Sequence, residues 1–117
     1  MSMRILLLAT LAFIFALPAS AQRSKCAGDD YPAALCYYRS GGLVRAEEIF
    51  ARIAAEDTKH PSTIRSRYFL VRIMMKTRRY QEASRQLVSI YVLSPTFYNE
   101  WSCDHLLGEC RKALGQD

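Results

Sequence analysis

Four cysteines, two histidines and one dense run of basic side chains are the residues of this chain whose chemistry could amount to a site. Between Arg65 and Arg85 stand seven bases (Arg65, Arg67, Arg72, Lys76, Arg78, Arg79 and Arg85) against a single acid, Glu82. Arg65, Arg72 and Lys76 fall on one line of a helix, with Phe69 between them. Guanidinium and ammonium groups bind carboxylates through charge-assisted hydrogen bonds, so such a row suits an acidic peptide segment or an anionic surface. The competing reading is a solvated face whose charges serve solubility. The candidate binding set is Arg65, Phe69, Arg72 and Lys76, with Arg79 in the turn that follows.

The remaining reactive residues form no catalytic pattern. His60 and His105 each stand without a nucleophile placed beside them by sequence, and neither a phosphate-binding loop nor a G-x-S-x-G turn is present. Cys103, His105 and Cys110 offer metal-ligand types, but their spacing fits no structural zinc pattern. No catalysis, metal or cofactor is expected.

Met1 to Ala21 has the three parts of a secretory signal: Arg4, an apolar core from Ile5 to Leu17, and Pro18 followed by the small residues Ala19, Ser20 and Ala21. The core is short of the about 20 apolar residues that a membrane span needs. Cleavage after Ala21 would leave residues 22–117 as one small domain, periplasmic or secreted, with no stable membrane span. That part keeps 15 of the 16 Lys and Arg residues against 11 Asp and Glu, a net charge of +4. This mild balance favours acidic partners without pointing to nucleic acid. In an oxidising compartment Cys26, Cys36, Cys103 and Cys110 are expected to form two disulfides.

The hydrophobic pattern predicts an all-α chain of about five helices. The first starts near Asp30 or Tyr31 and stops at Ser40-Gly41-Gly42. The second, about Leu43 to Asp57, places Leu43, Ala46, Phe50, Ile53 and Ala54 on one face. The third, about Ser62 to Lys76, is apolar nearly all round and belongs in the middle of the domain. Thr77-Arg78-Arg79 turns into a fourth helix from Tyr80 to Leu93, which Pro95 ends. A fifth is expected from a cap at Asn99 to about Leu114, with Gly108 its weak point. No run alternates long enough to be a strand.

Ala46, Phe50, Ile53 and Thr58 stand at the same spacing as Ala83, Leu87, Ile90 and Pro95, an offset of 37 residues (83 − 46). A small residue lets two helices approach closely, and a large one four positions on fills the space between hairpins. On these residues, with Leu70, Tyr80, Ala34, Tyr37 and Trp101, the chain resembles the tetratricopeptide-repeat family of helical hairpins. It departs from that pattern at Arg67, Val71, Ile53 and Ile90, and in its offset, which is 34 in the family. The resemblance implies antiparallel hairpins stacked as a short array that binds a protein or peptide along its first helices. The alternatives are a structural component acting through self-association, and a small disulfide-stapled bundle of another role.

The cysteine pairing stays open. On a continuous fifth helix Cys103 and Cys110 lie about 10.5 Å apart along the axis, too far to bridge. Either Gly108 breaks that helix, giving the local pairs Cys26–Cys36 and Cys103–Cys110, or both bridge across to Cys26 and Cys36. Short local staples are the habit of the related Sel1-like exported repeats and suit an open array, whereas crossed pairing suits a closed bundle.

Overall fold

Two copies of one turn organise the chain. In the computed structural model, which describes residues 25–56 and 58–116, α1 (Tyr31–Arg39) turns into α2 (Leu43–Ala54), and α3 (Pro61–Lys76) turns into α4 (Tyr80–Leu93). The Ser40 hydroxyl donates back to the carbonyls of Cys36 (2.9 Å) and Tyr37 (3.2 Å). The Thr77 hydroxyl does the same to Ile73 (2.9 Å) and Met74 (3.2 Å). The next residue in each turn, Gly41 or Arg78, takes a left-handed conformation. The amides of Gly42 and Arg79 then reach the carbonyls of Tyr37 (2.7 Å) and Met74 (2.8 Å). This is the Schellman ending of a helix, which satisfies carbonyls that would otherwise lack donors.

A short α5 (Pro95–Glu100) and a longer α6 (Cys103–Ala113) complete an all-α fold, with no strand among the described residues. The expected signal over residues 1–21 lies outside the described residues. α1 opens on Asp30, whose carboxylate accepts from the Ala33 amide at 3.0 Å. α3 opens one residue earlier than expected, because Pro61 sits in its first turn, where a missing N–H costs nothing.

The expected fifth helix is two helices. Ser94 ends α4 and also caps α5, its hydroxyl accepting from the Phe97 amide at 3.2 Å. Pro95 therefore starts a helix as well as stopping one, and Asn99 lies inside that helix rather than capping the next. The break falls at Trp101-Ser102, where Ser102 is left-handed with φ 53°. Gly108 does not break α6: it is exposed, and the helix runs through it.

Each long helix packs on its chain neighbours, α1 on α2, α2 on α3 and α3 on α4, while α6 lies against α4. Ala46 and Ala83 are fully buried, as are Phe50, Leu87 and Ile90, and Ile53 is nearly so; three of the four pairs matched at the 37-residue offset are therefore core in both hairpins, while Thr58 and Pro95 are exposed. α3 is the central helix. Ile64, Leu70, Val71, Ile73 and Met74 are all buried on it, against α2 on one side and α4 on the other. Arg67, which stands where an apolar residue was expected, donates to the Ala54 carbonyl at the end of α2 (2.9 Å) and to Gln86 Oε1 on α4 (3.1 Å). A cation at a helix C-terminus meets the negative end of its dipole, so the departure from the pattern joins three helices.

α6 runs antiparallel to α4. Ser84, near the start of α4, meets Cys110 near the end of α6. At the other end Tyr91 packs edge-on against Tyr98 at 5.3 Å, and the Tyr98 hydroxyl donates to Asp104 Oδ1 at 3.3 Å. α1, by contrast, runs the same way as α3: Tyr31 at its start meets Phe69, and Tyr38 near its end lies under Lys76. α1, α3 and α6 therefore run in one direction, with α3 between the other two.

Candidate binding groove

Two rows of side chains, each with a four-residue step, face one another across a groove of about 470 Å³. Arg72 and Lys76 form the row on α3. His105, Glu109 and Ala113 form the row on α6. Met75 and Leu106 lie between the rows, and Tyr80 at the start of α4 also lines the groove.

The two α3 cations are held in place by aromatic rings. Lys76 Nζ sits 4.8 Å from the centre of the Tyr38 ring, a cation–π contact with α1. Arg72 is half-buried; burial opposes its charge, but the hydroxyls of Tyr68 and Tyr38 outweigh that and hold its pKa above the ordinary value. Among the described residues no carboxylate comes within ion-pair distance of Arg72 or Lys76. On the facing row Glu109 is within 3.0 Å of His105 Nε2, on the exposed side of α6.

The other three expected binding residues have different surroundings. Arg65 is exposed, near the Tyr31 ring. Phe69 belongs to the packing: it stacks on Phe50 at 5.3 Å, and Tyr38 and Tyr68 meet it edge-on at 5.2 Å and 5.4 Å. The row of rings continues through Tyr68 to Trp101 (4.8 Å) and Phe97, so Trp101 closes an aromatic seam between α3 and α5. Arg79 is engaged within the fold. Its guanidinium grips both Glu47 oxygens, one of them at 2.9 Å, and reaches Glu82 at 3.8 Å. That grip ties the start of α4 to α2 and holds the Glu47 carboxyl below the usual carboxylate range.

One of the two expected disulfides is formed. Cys26 and Cys36 are bridged with Cα atoms 5.7 Å apart, tying the segment before α1 to its second turn. Cys103 and Cys110 are free thiols, both fully buried. The second bridge is absent because α6 is continuous, so the two residues are two turns apart on one face, and Cys26 and Cys36 satisfy each other. Burial pushes the Cys103 thiol up to about 11 and raises Cys110 as well. His105 is exposed while the two thiols point into the core, so these three possible metal ligands do not converge.

Met75, Tyr80, Leu106 and Glu109 were not singled out for binding from the sequence. Each row is visible there as a four-residue step, but which rows face each other depends on how α6 docks. No protein-family model, curated protein or solved structure matches the chain. No helix among the described residues is long and apolar enough to cross a membrane.

Proposed function

We propose that the protein is a non-catalytic, exported binding module of helical hairpins, and that its α3–α6 groove receives an acidic segment of a partner protein. The observation that carries this reading is the pair Arg72 and Lys76: two cations without a carboxylate partner among the described residues, standing on a groove with an apolar floor. Three cations elsewhere are matched by acids, Arg45 by Glu48, Arg52 by Asp29 and Arg79 by Glu47. The Cys26–Cys36 bridge supports export, since disulfides persist in oxidising compartments. The internal 37-residue repeat supports a scaffold role, because stacked hairpins present an extended face of parallel first helices.

The test is affinity capture from the native envelope and medium, with oxidised C-terminally tagged protein, beside an Arg72→Glu/Lys76→Glu variant of unchanged helicity. A partner held at low salt, released as salt rises, and not held by the variant is the expected result. A partner retained equally by the variant would place binding elsewhere.

Self-association is the second reading. Val88, Tyr91 and Val92 form an apolar patch on the outer face of α4, and Val92 is 72% exposed. Sedimentation at increasing concentration, with Val92→Asp as control, separates the two: mass that grows with concentration and falls back in the control would favour the patch.

A further inference from the structure

The groove is electrically two-sided. Its α3 wall carries Arg72 and Lys76, while its α6 wall carries Glu109, 3.0 Å from the neighbouring His105 Nε2, with Met75 and Leu106 between the two walls. A uniformly acidic segment would satisfy the first wall and set like charge against the second. Building on the binding role proposed for this groove, we infer that its occupant is an amphipathic helix of a partner protein, with acidic residues along one flank of its apolar stripe and basic residues along the other. The apolar stripe rests on Met75 and Leu106, the acidic flank faces Arg72 and Lys76, and the basic flank faces Glu109.

A helix fits this site better than an extended strand. A strand binds by adding to a free sheet edge, and the described residues contain no sheet. A trough between two helices that run the same way receives a third helix, whose ridges fill it as those of α6 fill the space beside α4. The two-sided charge also sets polarity. Turning a bound helix end for end exchanges its flanks, so only one direction puts acid toward α3 and base toward Glu109. The same charges that select the partner thus fix which way it lies.

Three synthetic helical peptides with one shared apolar stripe test this: one with an acidic and a basic flank, one acidic on both, one basic on both. Binding to the oxidised protein is measured by fluorescence anisotropy at low salt. The two-sided peptide is expected to bind about two- to fivefold more tightly than the doubly acidic one, the size of one exposed charge contact, and the doubly basic one weakest. Glu109→Lys should reverse the order of the first two. Glu109→Gln, which removes the charge with little change of shape, should bring them level.

Equal binding of the two-sided and doubly acidic peptides, with no response to Glu109→Lys, would overturn the two-sided charge. If both were then lost in Arg72→Glu/Lys76→Glu, the acidic-partner reading of the groove would still stand. Binding of none of the three would overturn the helix as occupant, and capture of a native partner would then decide the wider reading by itself.

Discussion

Gly41 and Arg78 occupy the same position in two copies of one turn, 37 residues apart, with φ 86° and 62°. Glycine adopts this left-handed geometry without strain, whereas a residue with a Cβ is disfavoured there by about 1–2 kcal/mol. Arg78→Gly should stabilise the protein by about 0.5–1 kcal/mol, since part of the relief is offset by the greater freedom of glycine in the unfolded chain. Gly41→Arg, in a site with open space around the new Cβ, should cost about 1 kcal/mol. Urea midpoints at unchanged m-value measure both shifts.

The Arg79–Glu47 clasp makes stability depend on pH. Arg79 lowers the Glu47 carboxyl in the folded protein, so the clasp contributes fully above the ordinary carboxylate range. Its contribution is lost as pH falls through the folded-state value, from about pH 5 downward. Both side chains are about a third exposed, which limits the pair to about 0.5–1 kcal/mol. Arg79→Ala should therefore be less stable by that amount at pH 7, and the difference should shrink below pH 4 in denaturation curves.

Phe69 and Arg65 were expected to share a binding role, and their substitutions should separate. Phe69→Ala empties the centre of the ring cluster shared with Phe50, Tyr38 and Tyr68 and should cost about 2–4 kcal/mol. Arg65→Ala, on an exposed position, should stay within about 0.5 kcal/mol of the parent. Thermal unfolding followed by circular dichroism distinguishes them.

The cysteines give a count. Alkylation in denaturant without reductant should add two labels per chain, on Cys103 and Cys110, and leave the Cys26–Cys36 peptide bridged. In the folded protein both thiols should resist labelling at neutral pH, because they are buried and the Cys103 thiolate forms only near its raised value of about 11. Peptide mass mapping reads both outcomes; a Cys26 or Cys36 label would contradict the pairing.

By itself the sequence determined the helical hairpins. Ala46, Phe50, Ala83 and Leu87 announce their buried faces because a helix repeats every 3.6 residues, and Gly41-Gly42 announces a turn because glycine favours left-handed backbone. The matching turn at Thr77-Arg78-Arg79 was also placed from the sequence, but with no glycine there nothing marked Arg78 as its left-handed residue. Ser94-Pro95 was legible as an ending but not as a beginning, since proline is compatible with both. What only the tertiary structure decided is the company each face keeps. Arg72 and Arg79 are both cations seven residues apart, yet one lines an open groove and the other is held by Glu47, thirty-two residues away in the chain. Cys103 and Cys110 do not bridge because α6 runs unbroken through Gly108, and it is the docking of α6 on α4 that buries both thiols. Local spacing fixes which residues share a face, but the facing partner is chosen by long-range packing, which no short-range pattern encodes.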